Sequence, residues 1–235
     1  MKKLLFVCAL VSILTSSVYA QKTNLANYQK GQIMLEDGNK KDVYIYFCWE
    51  YADEFQNSVS YITDDQYQRF NSGEKFKSKE IVELKVKDVK SYTLENGKKF
   101  MKVKFADLTA ASAASFPKYY LFEIVAEGKM NLYKKYVNLG AVRVGDLALL
   151  DDQGEIDYVN STYACLIQKG GENAKDLVTV KIQEYVADNE SVLSKLEAGE
   201  YGKINTVFGS KMGTNPEDCT KYIEGLINMA NDYNK

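Results

Sequence analysis

Two stretches, Ser72-Gly73-Glu74-Lys75 and Ser115-Phe116-Pro117-Lys118, place a lysine three residues after a serine. That spacing can pair a serine nucleophile with a lysine base, but it acts from the start of a helix and with accompanying motifs. A glycine interrupts the first stretch and a proline the second, so both are assigned to chance. Histidine is absent from all 235 residues. Its absence removes Ser-His-Asp and Cys-His hydrolysis, histidine-based zinc sites and imidazole acid–base catalysis. Paired carboxylates survive that exclusion, with 32 Asp and Glu to draw on. Asp64-Asp65 and Asp151-Asp152 are sequence neighbours and read as water-facing loop residues. Asp151, Asp152, Glu155 and Asp157 lack the spacing of a calcium loop. Cys48, Cys165 and Cys219 form no CxxC, which leaves thiol-redox chemistry and cysteine zinc sites unsupported. Should a disulfide form, Cys165 with Cys219 is the expected pair, since Cys48 lies in a strand-like run. No catalytic, cofactor-binding or metal-ligating residue is assigned, and no cofactor is expected.

What remains is aromatic. The chain carries 18 tyrosines and one tryptophan. Rings on a sheet can stack on sugars or line an apolar pocket, although tyrosine is also a favoured strand residue in its own right. In "DVYIYFCWE", Val43, Ile45, Phe47 and Trp49 share one face of a strand, while Tyr44, Tyr46 and Cys48 share the other. Tyr44 and Tyr46 are therefore the candidate ligand-facing residues. With so little charge on either face, that strand is expected to be central or covered on both sides.

The elements that would position these rings follow from periodicity. From residue 30 to about 137 the apolar period is two, the mark of strands with one wet face. Met101, Val103 and Phe105 alternate with lysines, and Val82, Leu84 and Val86 alternate with Glu83, Lys85 and Lys87. The phase slips across Asp88-Val89, where a bulge or break is expected. Asp37-Gly38 and Asn96-Gly97, set between alternating runs, read as two-residue hairpin turns. Glu127-Gly128-Lys129 and the residues near 153 are further turn candidates. No Walker or dinucleotide glycine pattern follows these strands, so the glycine corners are not phosphate cradles. The polar stretches 52–80 and 106–118 read as connections, with a short strand at Val59 to Ile62.

Past residue 172 the period becomes helical. A helix is expected over roughly Lys175 to Ala187. A second is capped by Asn189 and closed by Gly199, and a third is capped by Asn215 with Pro216 in its first turn. Residues 1–20 have the charged start, apolar middle and small-residue end of a signal peptide. The remainder divides into a β-rich region, 21–171, and a helical region, 172–235, packed on it as one unit. The slight acidic excess argues against nucleic acid as a partner, and no later apolar run is long enough for a membrane span.

The Ala20-Gln21 junction, "KGQIMLEDGNKKDVYIYF" with Gly31, Ile33, Leu35 and Gly38, and "YYLFEIVAEGKMNLYKKY" with Glu127, Gly128, Lys129, Leu132 and Tyr133 resemble exported, uncharacterised proteins of Bacteroidota. That resemblance implies the periplasm or outer envelope of a Gram-negative bacterium and adds no site residue. The expected fold is α+β: an antiparallel sheet or partly closed barrel of hairpins, followed by two or three C-terminal helices packed on it. The expected function is non-enzymatic binding of an envelope ligand or protein partner. The alternative is a carboxylate-dependent glycan hydrolase.

Overall fold

In the computed structural model, which describes residues 22–106, 116–136, 163–204 and 216–235, the glycine corners are hairpin turns of one design. Side chains of Glu50, Asp53 and 216–219 lie outside the described residues. Strands β1 (Tyr28–Leu35) and β2 (Lys40–Tyr46) join through Gly38, and β5 (Val89–Leu94) and β6 (Lys99–Phe105) join through Gly97. Each glycine has φ +86°, a left-handed angle that disfavours a side chain. The turns differ from the expected two-residue form. Gly38 N–H donates to Leu35 C=O at 3.1 Å while Leu35 N–H donates to Asn39 C=O at 2.9 Å. Gly97 and Leu94 repeat the pattern at 2.9 Å and 2.9 Å. Both loops therefore hold three residues, a turn followed by a left-handed bulge glycine. The preceding Asp37 and Asn96 side chains accept from the backbone N–H groups of Asn39 and Lys98, which fixes the turn locally.

The remaining strands are β3 (Ser58–Ile62), β4 (Val82–Lys85), β7 (Lys118–Ala126), β8 (Met130–Tyr136), β9 (Tyr163–Lys169) and β10 (Lys175–Asp176). Among the described residues, all ten strands pair antiparallel in one open sheet of order β10-β9-β8-β7-β6-β5-β1-β2-β3-β4. The α+β class expected from the pattern is the observed one. Val86–Asp88 forms the expected break between β4 and β5, a single 3-10 turn. That short link dictates curvature. Lys85 to Val89 spans at most ~15 Å of chain, whereas four strand intervals in a flat sheet cover ~19 Å before any axial offset. The β5-β1-β2-β3-β4 portion must therefore curl upon itself.

Helices occur inside the sheet region, against the expectation of polar connections at 52–80. Helix α1 (Ala52–Asn57) precedes β3, and α2 (Asp64–Asn71) follows it. Thr63 and Gln66 make a reciprocal capping box, Gln66 N–H to Thr63 Oγ1 at 3.3 Å and Thr63 N–H to Gln66 Oε1 at 2.8 Å. These bonds and the Asp64 and Asp65 charges in the first turn start a helix that the polar composition conceals. The helix expected over Lys175 to Ala187 is also corrected. It opens as β10 and a 3-10 turn, Leu177–Thr179, before the short α3 (Ile182–Val186). The β-branched run Val178, Thr179 and Val180 disfavours an earlier helical start. Helices α4 (Glu190–Glu197), capped by Asn189, and α5 (Pro216–Tyr233) lie where expected. None of the described helices is long and apolar enough to cross a membrane.

One continuous core joins the two regions. Ile33, Val43, Ile45, Tyr92 and Phe100 of the strands are buried with Val192 and Leu196 of α4 and Ile223, Leu226 and Ala230 of α5. The sheet's other face carries two smaller clusters. One holds Val103, Phe105, Phe122 and Leu166, and the other holds Tyr28, Tyr46, Ile62 and Phe70 beside α2. Strand β2 is thus central and covered on both faces.

Candidate functional site

The β1–β2 register sets Lys30 opposite Tyr44 and Tyr28 opposite Tyr46 on the face toward α2. On the other side of β1, Gly31 lies opposite Leu94, which brings the Asn96-Gly97 turn against the start of β1. Glu95 N–H donates to Lys30 C=O at 2.8 Å, and Asn96 Nδ2 lies 3.4 Å from Gln29 Oε1. These neighbours enclose an open depression of about 700 Å³ lined by Tyr28, Gln29, Lys30, Tyr44, Tyr67, Glu95 and Asn96. Helix α2 supplies Tyr67, whose ring stacks on Tyr44 at 3.7 Å between centroids and 6° between planes.

The two tyrosines singled out from the sequence part company here. Tyr44 is half-buried at the wall of the depression, while Tyr46 is 3% exposed among Tyr28, Cys48, Ile62 and Phe70. Burial pushes the Tyr28 and Tyr46 phenols well above the ordinary range, so both stay protonated. The rim offers an ammonium, a carboxylate and two amides, a set able to donate to and accept from a polar ligand. Tyr67 was missed from sequence because its partnership with Tyr44 is purely tertiary. The Asn96-Gly97 corner reverses the chain, as expected, and Asn96 borders the depression.

A second constellation lies on the main-core face. Register carries Cys165, Lys134, Glu123, Phe100 and Tyr92 in one row across β9, β8, β7, β6 and β5. Glu123 is 7% exposed. Lys98 Nζ reaches its carboxylate oxygens at 3.0 Å and 3.3 Å, and Tyr136 Oη donates to Glu123 Oε2. Lys98 also lies 5.4 Å from the Trp49 ring centroid, and Trp49 meets Tyr136 edge-on at 5.0 Å. Burial first, then the Glu123 charge, drives the Tyr136 phenol far upward. From α1, Gln56 exchanges hydrogen bonds with the Tyr136 backbone at 2.8 Å and 2.9 Å, which fixes the end of β8.

Several sequence candidates find no site. Asp64 and Asp65 sit in the exposed first turn of α2. Ser72 Oγ donates to Arg69 C=O at 2.7 Å beyond the helix end. Ser115, the acidic residues 151–157, the turn near 153 and residues 1–20 lie outside the described residues. Cys165 is buried on β9, whereas the side chain of Cys219 lies outside the described residues. Among the described residues no group of three metal-ligating side chains comes together. Comparison with protein-family models, with curated proteins and with solved structures finds no match for this chain.

Proposed function

We propose that this chain is an exported, non-enzymatic binding protein of the Gram-negative cell envelope that seats an oligosaccharide in the depression between β1, β2 and α2. The observation that carries the reading is the stacked Tyr44–Tyr67 pair at the wall of a depression rimmed by Lys30, Glu95, Asn96 and Gln29. An aromatic wall favours the C–H face of a sugar, and amides and charged groups at the rim match its hydroxyls. Glu95 is the one carboxylate among the lining residues, so the pair needed for glycoside hydrolysis is not assembled there. Export rests on the leader-like first twenty residues and on the resemblance to exported Bacteroidota proteins.

A thermal-shift screen of the purified protein against envelope oligosaccharides and lipids tests the proposal. A ligand at one hundred times its Kd would stabilise the fold by ~2.7 kcal/mol, a readily measured rise in Tm. A shift with an oligosaccharide that disappears in Tyr44→Ala supports it. Shifts with lipids alone, or turnover of a glycan, overturn it.

A further inference from the structure

Three residues of the depression stand in one row across neighbouring strands. The β1–β2 register sets Tyr44 opposite Lys30, and Glu95 follows on from the Gly31–Leu94 pair to flank Lys30 from the end of β5. The Glu95 N–H to Lys30 C=O bond at 2.8 Å holds those two positions side by side. Lys30 and Glu95 are both exposed, and both line the depression. Opposite charges at adjacent ladder positions usually attract one another. Here neither side chain has an ion-pair partner among the described residues. The lysines just beyond the turn behave otherwise: Lys98 pairs with Glu123 at 3.0 Å, Lys99 with Glu127 at 2.6 Å and Lys102 with Glu36 at 2.5 Å. Lys30 and Glu95 thus keep one cation and one anion in water on the lining of the same depression. A ligand of single charge would satisfy one of them and strip water from the other without replacing it. A ligand that carries both charges satisfies both.

We infer that the depression selects a zwitterionic saccharide, a sugar that carries a carboxylate and a protonated amine on one ring. The selectivity rests on the depression being a sugar seat. The C–H face of the ring lies against the Tyr44–Tyr67 stack. Lys30, next to Tyr44 in the row, takes the sugar carboxylate, and Glu95 on its far side takes the sugar ammonium. The amides of Asn96 and Gln29, 3.4 Å apart, meet hydroxyls beyond them.

Muramic acid, which bears both groups on one glucose ring, tests the selectivity on the intact protein at pH 6, where sugar amines are protonated. NMR titrations compare it with N-acetylmuramic acid, which keeps only the anion, with glucosamine, which keeps only the cation, and with glucose. Muramic acid is expected to bind about threefold tighter than either singly charged sugar and about tenfold tighter than glucose, as two solvent-exposed ion pairs would give. Lys30→Met should bring muramic acid down to the level of glucosamine, and Glu95→Gln down to the level of N-acetylmuramic acid. A general loosening of the fold would not produce that crossed pattern. Equal affinity for all four sugars overturns the inference and leaves the sugar seat standing. Alanine, a zwitterion without a ring, binding as tightly as muramic acid overturns the seat and the inference with it. No response to any of these compounds at tens of millimolar overturns both.

Discussion

Asn234 pairs with the backbone of Met130 as a strand would: its Oδ1 accepts from Met130 N–H at 2.8 Å, and its Nδ2 donates to Met130 C=O at 2.9 Å. The side chain beyond α5 is thereby pinned to the first residue of β8. Room for it exists because position 128 is glycine; a Cβ there would collide with the Asn234 amide. Asn234→Ala is expected to cost roughly 1–3 kcal/mol, since it strands a backbone donor and acceptor. Gly128→Ala should cost a similar amount by evicting the same side chain. The double variant should be little worse than either single one, a non-additivity that chemical denaturation would measure. Additive losses would show that Gly128 serves the turn and not Asn234.

Acid should loosen the helical region first. Lys195 at 2.6 Å, then Lys235 at 2.6 Å and Tyr201 at 2.9 Å, hold the Asp232 carboxyl far below its usual range. Lys169 and Tyr233 hold Asp188 down in the same way. A carboxylate depressed in the folded state stabilises the fold above its unfolded value of ~3.9 and loses that contribution as pH falls through the lower folded value. Stability should therefore decline below about pH 4. Asp188→Asn/Asp232→Asn should be less stable at neutral pH and show a flatter acid limb in pH-dependent thermal melts.

Breaking the core ion pair from one side should hurt more than removing it whole. Lys98→Met leaves the Glu123 carboxylate buried with Tyr136 as its remaining hydrogen-bond donor in the cluster. A loss of about 3 kcal/mol is expected, the low end for a broken buried pair because the Lys98 ammonium is partly solvated. Lys98→Met/Glu123→Leu should recover much of it. Equal losses in the single and double variants would mean that the pair itself, and not the orphaned charge, carries the stability.

The two neighbouring tyrosines of β2 should separate stability from binding. Tyr46→Ala removes a ring that is 3% exposed and should cost about 3–5 kcal/mol, as large buried aromatic deletions do. Tyr44→Ala, half-buried, should melt closer to wild type. Melting temperatures compared side by side check the order.

The parts of the fold that were legible are those written in local spacing. Alternation in "DVYIYF" placed Val43 and Ile45 opposite Tyr44 and Tyr46, and the structure keeps those faces. Pro216 and Asn189 announced their helices; the cap expected at Asn215 lies outside the described residues. Less legible were features that depend on register. Glu123 meets Lys134 only because the β7–β8 ladder shifts between Ile124 and Ala126 beyond them. Tyr67 reaches Tyr44 only because β3 returns the chain and Thr63 starts a helix there. The Thr63–Gln66 spacing was itself a readable cap signal, masked by polar surroundings.

The depression is the centre of the functional account, and isothermal titration of an oligosaccharide found by the thermal screen tests it most directly. Wild-type protein should bind with 1:1 stoichiometry. Tyr44→Ala and Tyr67→Ala should each weaken that binding at least about tenfold, ~1.4 kcal/mol, the upper range for a ring contact beyond its area. Unchanged affinity in both variants would contradict a ligand seated against the stacked pair.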